Sequence, residues 1–213
     1  MPCIIWYNTG ISHGIYRIMT FSIIILAGGR AKRMGTTKQL LPWGNRTILQ
    51  HVVDTASAVN PAEIIVVLGH NAAEISSVLK DEPVKIAINK EFSRGMSSSL
   101  KTALNYISPE SDTYIFMLGD QPLVTVDMLR LLLQHHSASK LGITVPVYRD
   151  EKGRPVIMDS KYREELMTLQ GEIGAKQVID AHPDDVQEIP VDSEEVIIDI
   201  DTQEEYKKYS GGL

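Results

Sequence analysis

Cysteine is almost absent from this sequence. Cys3 is the only one in 213 residues, so the chain can form neither an internal disulfide framework nor a CxxC metal site. Such cysteine usage fits a reducing cytoplasm, where disulfides are rare. The signature HExxH is also absent, so the usual zinc-protease motif is not present.

The sequence also lacks an excess of positive charge and long apolar segments. Its net charge of −6 and pI of about 5.5 argue against general nucleic-acid binding, which favours a basic surface. No apolar run approaches the roughly 20 residues of a membrane-spanning helix, so we expect no membrane partner. With 43% hydrophobic residues, the chain is able to bury a full core as one α/β domain.

The first eighteen residues differ in character from those that follow. Their first positive charge, Arg17, comes late and their apolar stretches are short, unlike a secretory signal peptide. Met19 stands just before the first strand-like run. We therefore expect residues 1–18 to be a disordered arm or a non-native N-terminal extension that precedes the true translation start. Residues 19–213 are expected to form a single domain.

Strand-like apolar runs alternate with helical patterns along the chain. The pattern predicts strands at residues 21–27, 64–68, 84–88, 114–118, 143–147, 154–158, 186–189 and 196–200. Helical spacing predicts helices at residues 48–56, 72–79, 97–107, 125–135, 161–169 and 174–181. Thr202 and Glu205 form a capping box for a last helix through Tyr209. This alternation is typical of an α/β fold with three layers, α/β/α, around a Rossmann-like, mostly parallel sheet.

The sequence IIILAGGRAKRMGTTKQLL, at residues 23–41, joins a buried strand to a glycine turn. Gly28 and Gly29 lack Cβ atoms, so the turning backbone can approach a ligand closely. Four cations follow with no acid among them: Arg30, Lys32, Arg33 and Lys38. Neither GxGxxG nor GxxxxGK[ST] fits, because the two glycines are adjacent and Thr36 stands at the lysine position. The turn therefore predicts another class of polyphosphate-binding loop, with a plain tight turn as the alternative.

Carboxylates near strand ends are candidates for a metal site. Asp120 follows a strand-like run and Gly119, at the edge of a parallel sheet where ligands bind. Mg²⁺ is commonly held by one or two such carboxylates together with phosphate oxygens and water, although Asp-x-Pro also caps turns. Asp199 and Asp201 would share one face of the predicted late strand. Either is a possible second ligand, a surface acid, or part of the approach to the last helix.

Several segments resemble one enzyme family. LAGGRAKRMGTTKQLLPWG, at residues 26–44, resembles the signature L-A-[AG]-G-x-S-x-R-M-G-x-x-K of MobA-like nucleotidyltransferases. NKEFSRGMSSSLKTAL, LGDQP and DIDTQEEY, at residues 89–104, 118–122 and 199–206, agree with other parts of that family. GRPVIMDSKYREELMTLQGEIGAK, at residues 153–176, is similar to a segment of its molybdenum cofactor cytidylyltransferase branch. The resemblance covers roughly residues 22–206.

The resemblance implies an activity. A nucleotidyl group, CMP from CTP in this branch, would pass to the terminal phosphate of molybdenum cofactor, with release of pyrophosphate and Mg²⁺ as cofactor. A recipient molybdoenzyme would be a further partner. The acceptor oxygen would attack the α-phosphorus in line, without an enzyme-bound intermediate.

The resemblance also implies roles for particular residues. The base and ribose would lie against the backbone of Leu26, Ala27, Gly28 and Gly29. Asn89, Gly95 and Ser99 would shape the nucleotide pocket. Arg33 and Lys38 would neutralise the triphosphate, and Lys38 would stabilise charge on the α-phosphate. Asp120 would bind Mg²⁺ with help from Asp199 or Asp201. The molybdopterin-type acceptor would face Gly153, Pro155 and Gly174.

The chain departs from the family pattern at several positions. Ala31 replaces serine, Arg154 replaces asparagine, and Glu172, Lys176 and Gln203 replace aspartate, arginine and proline. The changes near the acceptor segment leave other acceptors open. The alternatives are a guanylyltransferase for the same cofactor and a sugar-phosphate or polyol-phosphate nucleotidyltransferase. A non-catalytic cofactor carrier or chaperone is a different class, which would not need both Lys38 and Asp120.

Overall fold

Strands and helices alternate along the chain, in close agreement with the apolar pattern. A computed structural model describes residues 19–29, 34 and 36–211, so the predicted extension at residues 1–18 lies outside the described residues. The strands are β1 (Phe21–Ala27), β2 (Pro42–Trp43), β3 (Arg46–Thr47), β4 (Glu63–Leu68), β5 (Lys85–Ile88), β6 (Thr113–Leu118), β7 (Ile143–Tyr148), β8 (Glu151–Lys152), β9 (Val156–Asp159) and β10 (Val186–Pro190). The helices are α1 (Ile48–Ser57), α2 (Ala72–Val78), α3 (Met96–Tyr106), α4 (Val126–Ala138), α5 (Arg163–Thr168), α6 (Lys176–Ala181) and α7 (Gln203–Ser210). None of these helices is both long and apolar enough to cross a membrane.

The main sheet has eight strands in the order β10-β7-β9-β6-β1-β4-β5, with β8 paired to β7. β1 lies between β4 and β6 and runs parallel to both, and β5 continues the parallel row. β9 runs antiparallel to its neighbours β6 and β7, whereas β10 is parallel to β7. The predicted three-layer α/β fold with a mostly parallel sheet is therefore confirmed.

β1 is buried because helices cover both faces of the sheet. Phe21, Ile23, Ile24 and Ile25 are each 0% exposed. Ile23 and Ile25 pack with side chains of α1, α2 and α4 on one face, and Ile24 packs with α3, α5 and α6 on the other. Burying one such side chain stabilises the fold by about 1.5–3 kcal/mol. A near-continuous apolar run thus suits the centre of a doubly covered sheet.

The last helix, α7, is held by its own cap and by a small apolar cluster. The Thr202 hydroxyl accepts a hydrogen bond from the Glu205 N–H, and the Glu205 carboxylate accepts one from the Thr202 N–H, which confirms the predicted capping box. Tyr206 packs against a cluster that includes Trp43. Its hydroxyl donates to the Pro42 carbonyl at 2.7 Å. These contacts fix α7 against the hairpin of β2 and β3.

The strand predicted at residues 196–200 is wrong. A 3₁₀ turn ends at its first residue, and the rest of the segment joins no strand ladder. Single backbone hydrogen bonds hold it instead: the Arg154 N–H donates to the Val196 carbonyl at 2.8 Å, and the Ile200 N–H donates to the Asp120 carbonyl at 2.9 Å. Both apolar ends of the segment are fully buried. The apolar ends of this segment are therefore buried at the sheet edge without strand pairing.

Glycine turns and polar residues gather at one edge of the sheet. β1, β4, β5 and β6 run in the same direction, so their carboxyl ends meet there. Gly28, Gly69, Asn89 and Gly119 directly follow these four strands. Ligands of open α/β sheets bind at this edge.

Gly119 allows the end of β6 to pack closely on β1. A Cβ atom at this position would lie 2.8 Å from the Ala27 Cβ and 3.0 Å from the Leu49 Cδ1. The Gly119 N–H donates to the Leu26 carbonyl at 2.9 Å. The close contact therefore sets the path of the chain into Asp120.

Replacing Gly119 by alanine tests this packing. We expect Gly119→Ala to lower the free energy of unfolding by about 1–3 kcal/mol, because overpacking displaces the neighbouring groups. Gly29→Ala is the matched control, since a Cβ atom there would meet nothing within 4 Å. Urea unfolding followed by circular dichroism measures both variants, and equal stabilities would contradict the close contact.

At the opposite edge of the sheet, Glu63 joins three segments. Its carboxylate accepts hydrogen bonds from the Ser22 hydroxyl at 2.9 Å, the Ser108 N–H at 2.7 Å and the Lys85 ammonium at 2.6 Å. Burial raises the pKa of the Glu63 carboxyl, but these donors outweigh it, so the pKa lies below its ordinary value. The ionised carboxylate therefore stabilises the fold above the unfolded-state pKa, and this contribution is lost as pH falls through the folded-state pKa.

Replacing Glu63 by glutamine should reveal this contribution. We expect Glu63→Gln to lower the free energy of unfolding at pH 7 by about 1–3 kcal/mol, since hydrogen bonds to a charged group are lost. The difference from wild type should shrink as pH falls below about 4.3, the ordinary glutamate pKa. Urea unfolding between pH 3 and pH 7 measures it, with exposed Glu110→Gln as the control. A difference that does not change with pH would disprove this role.

Candidate functional site

The glycine turn after β1 brings two loops into close contact. A Cβ atom on Gly28 would lie 3.3 Å from the Gly69 nitrogen and 3.4 Å from the Ser99 Oγ. The His70 N–H donates to the Gly28 carbonyl at 3.4 Å. Gly29 is exposed, and a Cβ atom there would meet nothing within 4 Å. The turn is thus closely packed on one side and open on the other, where a ligand could approach its backbone.

Asn89 connects the end of β5 to the start of α3. It is only 3% exposed, and its amide nitrogen donates to the Ser98 and Ser99 hydroxyls at 2.8 and 3.0 Å. Its amide oxygen accepts from the Glu91 N–H at 2.9 Å. Asn89 therefore orients Ser99 beside Gly28, and its own polar atoms are used within the fold.

The start of α3 contacts the loop between α5 and α6. Gly95 has a φ of +96°, and a Cβ atom there would lie 2.4 Å from the Gly171 carbonyl group. The Ser97 hydroxyl and N–H both donate to that carbonyl oxygen, at 2.8 and 3.1 Å. A Cβ atom on Gly174 would lie 2.6 Å from the Met96 Sδ. Gly95 and Gly174 thus permit this loop to dock on the helix.

Lys38 is the centre of a buried ion-pair cluster. It begins a 3₁₀ turn at Lys38–Leu40 and is 8% exposed. Its ammonium group contacts the Asp120 carboxylate and lies 2.5 Å from the Asp201 Oδ1. Burial lowers the pKa of Lys38, but the charges and hydrogen bonds of the two aspartates outweigh it, so the pKa lies above its ordinary value. Lys38 is therefore held in its charged form between two carboxylates.

Asp199 lies beside this cluster and is held by Gln121. The Gln121 side-chain nitrogen donates to the Asp199 Oδ1 at 2.7 Å. Burial raises the pKa of the Asp199 carboxyl, and the Asp120 charge raises it further, so the pKa lies above its ordinary value. The Arg154 charge and the Gln121 hydrogen bond act in the opposite direction. Asp199 is thus a carboxylate short of positive charge.

The oxygen atoms near Lys38 fit a hard divalent cation. The Asp120 Oδ1 is buried and has no hydrogen-bond partner among the described residues, while the other oxygen of Asp120 pairs with Lys38. Carboxylate oxygen is the donor that Mg²⁺ prefers. In the described part of the chain, no group of three or more His, Cys, Asp or Glu side chains forms a ready-made metal cluster. Mg²⁺ is usually bound through one or two carboxylates, with phosphate and water completing its shell.

Gly153 and Pro155 lie where β8 leads into β9. Both residues are buried. A Cβ atom on Gly153 would lie 2.5 Å from the Val196 carbonyl oxygen. Gly153 therefore permits close packing against the segment that carries Asp199, and this brings Arg154 to the same edge of the sheet.

The structure gathers the candidate residues into distinct groups at the carboxyl edge. Lys38, Asp120 and Asp201 are in direct contact, and Asp199 lies beside them. A second group surrounds the turn after β1 and contains Leu26, Ala27, Gly28, Gly29, Asn89 and Ser99. Gly95 and Gly174 meet at α3, and Gly153 and Pro155 pack near residue 196. Arg33 lies outside the described residues.

Sequence reasoning missed Gln121. It is 1% exposed, and its side-chain oxygen is buried without a hydrogen-bond partner in the part of the chain that the structure describes. Its only sequence signal was its position directly after Asp120. The contact with Asp199 joins residues 78 positions apart, which no local pattern indicates.

Comparison with known proteins finds relatives with different names. A bifunctional protein GlmU of Neisseria meningitidis serogroup A is 34% identical over 136 residues, which cover 63% of this chain. The matched part is 29% of the length of GlmU. Nicotine blue oxidoreductase of Paenarthrobacter nicotinovorans is 29% identical over 189 residues, which cover 85% of this chain and 92% of that protein.

A solved structure and a family profile match at greater length. The crystal structure of Rv0371c from Mycobacterium tuberculosis H37Rv superposes with a TM-score of 0.80 at 28% identity, over 91% of this chain and 98% of that one. The profile of the MobA-like NTP transferase domain matches residues 23–186. This match includes the glycine turn, Lys38 and Asp120. The chain therefore belongs to the MobA-like NTP transferase domain family.

Proposed function

We propose that the protein is a Mg²⁺-dependent nucleotidyltransferase. It transfers a nucleotidyl group, CMP from CTP, onto the terminal phosphate of a molybdopterin-type acceptor and releases pyrophosphate. The observation that carries this proposal is the contact of buried Lys38 with Asp120 beside the glycine turn. A cation for phosphate and a carboxylate for a metal thus share one crevice.

The charges of this cluster suit a polyphosphate better than a purely structural role. A buried ion pair is weak evidence for stability, because desolvation offsets much of the attraction. Two unit charges 4 Å apart interact by about 4 kcal/mol at an effective dielectric constant of 20. Lys38 can therefore contribute substantially to holding a triphosphate when it exchanges a carboxylate for a phosphate oxygen. The unpartnered Asp120 Oδ1 remains available for a metal.

The proposed reaction requires positioning rather than a protein nucleophile. A terminal phosphate oxygen of the acceptor attacks the α-phosphorus as the bond between that phosphorus and the bridging oxygen of pyrophosphate breaks. Because the attacking group is already an anion, no proton has to be removed from it. Lys38 stabilises charge on the α-phosphate, and the backbone of Gly28 and Gly29 holds the nucleotide. Such reactions depend on alignment and electrostatic stabilisation.

A divalent cation fits Asp120, with Asp199 or Asp201 assisting. When bound, it would neutralise phosphate charge and help to orient the leaving group. A structure of Rv0371c in complex with manganese, 27% identical to this chain with a TM-score of 0.78, supports a divalent-metal requirement. The choice of Mg²⁺ is part of our proposal.

The acceptor and the base are the finer parts of this proposal. The similarity of residues 153–176 to the cytidylyltransferase branch favours CTP and molybdenum cofactor, and a recipient molybdoenzyme would be the final partner. A guanylyltransferase for the same cofactor, or a nucleotidyltransferase for a sugar phosphate or polyol phosphate, uses the same chemistry. Assays with CTP and GTP against each acceptor separate them, and activity with a sugar phosphate alone would remove the cofactor assignment. A cytoplasmic location stays a prediction from cysteine usage.

The name of one relative points to another reaction class. Nicotine blue oxidoreductase covers most of this chain, so family membership alone leaves the reaction open. A carrier or a redox protein has no evident need for a buried lysine between two carboxylates at a glycine turn. This cluster therefore favours nucleotidyl transfer.

Two substitutions test the proposed roles. We expect Lys38→Ala to lower kcat about 10²–10³-fold, because a preorganised cation is lost from the transition state. Asp120→Asn should cause a similar loss that excess Mg²⁺ partly restores. Lys140→Ala is the control, because it removes an exposed lysine near the opposite edge of the sheet. This variant should keep the wild-type kcat. Pyrophosphate release with CTP or GTP and molybdenum cofactor measures all three.

Circular dichroism of each variant shows whether the fold is kept. If folded Lys38→Ala or Asp120→Asn protein turns over at the wild-type rate, the assigned mechanism is wrong. If wild type shows no transfer with any NTP and acceptor, the proposed activity itself fails.

A further inference from the structure

Arg154 is held at the carboxyl edge of the sheet by its neighbours on both sides. Its N–H donates to the Val196 carbonyl at 2.8 Å, and the Gly153 N–H donates to the Pro146 carbonyl at 2.8 Å. A Cβ atom on Gly153 would meet the same Val196 carbonyl at 2.5 Å, and buried Pro155 follows. The backbone that presents Arg154 is therefore firmly packed.

The guanidinium of Arg154 differs from the ammonium groups of Lys38 and Lys152 in its lack of a partner among the described residues. Within the described ranges it forms no ion pair and no side-chain hydrogen bond, and it is half-buried. Lys38, by contrast, is paired with Asp120 and Asp201, and Lys152 lies 3.0 Å from the Glu188 carboxylate. Arg154 thus offers an available fork of N–H donors beside the cluster.

The segment of residues 196–200 connects Arg154 to the carboxylates of the site. This segment is bonded to Arg154 at Val196 and to Asp120 at Ile200, so Asp199 lies between them. The Arg154 charge acts on the Asp199 carboxyl in opposition to its burial and to Asp120. These backbone hydrogen bonds place Arg154 beside the segment that carries Asp199.

The sheet order separates Arg154 from the triphosphate side. β6, which leads into Asp120, has β1 and its glycine turn on one side and β9, which follows Arg154, on the other. An in-line displacement needs the attacking and leaving oxygens on opposite sides of the phosphorus. A triphosphate held by the glycine turn and Lys38 thus leaves the β9 side for the attacking group.

We propose that Arg154 binds the phosphate monoester of the acceptor and holds it beside Asp199. This inference rests on the proposed function for the identity of the reaction. A guanidinium binds phosphate through two parallel N–H donors, which fixes orientation as well as charge. Arg154 is thus a specificity residue for acceptors that carry a terminal phosphate.

The experiment measures binding of a simple monoester, so that it does not depend on turnover. Phenyl phosphate is titrated into the protein preloaded with Mg²⁺ and a non-hydrolysable nucleoside triphosphate analogue, and ligand-observed NMR gives its Kd. Arg154→Gln should raise the Kd for phenyl phosphate by about tenfold or more, because a charge-assisted bidentate contact is lost. Arg154→Lys should give an intermediate Kd, since the positive charge is kept but the two parallel N–H donors are lost.

Arg149→Gln is the matched control. Arg149 is exposed on the neighbouring turn, with its guanidinium 5.0 Å from the centre of the Tyr148 ring, so its loss changes net charge equally. This variant should bind phenyl phosphate like wild type, and all variants should bind the nucleotide analogue unchanged. The inference would be overturned if Arg149→Gln and Arg154→Gln weakened phenyl phosphate binding equally. It would also be overturned if Arg154→Gln lost analogue binding, or if wild type did not bind phenyl phosphate.

A transfer assay separates this inference from the proposed function. If transfer occurs, Arg154→Gln should raise KM for the acceptor at unchanged KM for the nucleotide. Transfer with an unchanged acceptor KM would disprove the role of Arg154 and leave the proposed function standing. Phenyl phosphate binding that depends on Arg154, without transfer to any acceptor, would support the phosphate site and reject the proposed function.

Discussion

The contact of Lys38 with Asp120 and Asp201 is the constraint on which the candidate site depends. It joins the loop after β1, the end of β6 and the approach to α7, and Lys38 and Asp201 are 163 positions apart. Removing one partner of a buried ion pair leaves an uncompensated charge, which is costly. The three segments are thus tied to each other until another anion or cation replaces a partner. A phosphate and a divalent metal are the replacements that the proposed chemistry supplies.

The fold brings these charges together through packing that is mostly apolar. β1 is central and buried except for half-buried Leu26, so the turn at Gly28 leaves the sheet from a firmly packed strand. Gly119 lets the end of β6 lie against β1, which directs Asp120 to the same edge. The capping box of α7 holds the chain just after Asp201. Asp120 and Asp201 are therefore positioned by packing and capping contacts of the fold.

Local patterns predicted most of the fold and part of the site. The apolar runs predicted every strand of the central parallel row, and Gly28 and Asp120 were recognisable because they lie within two residues of the ends of such runs. Residues 196–200 were misread because their apolar ends are buried through single backbone contacts and not through strand pairing. The contact of Gln121 with Asp199 and the availability of Arg154 depend on residues distant in sequence. Such features follow from tertiary packing, so no local pattern could reveal them.

Structure determination with Mn²⁺ and a non-hydrolysable nucleoside triphosphate tests most directly whether Lys38 and Asp120 share one bound triphosphate. The account predicts anomalous density for Mn²⁺ against Asp120, with the Lys38 ammonium turned from the Asp201 carboxylate to an α-phosphate oxygen. A nucleotide bound elsewhere, with Lys38 still held between Asp120 and Asp201 and no metal against Asp120, would contradict it.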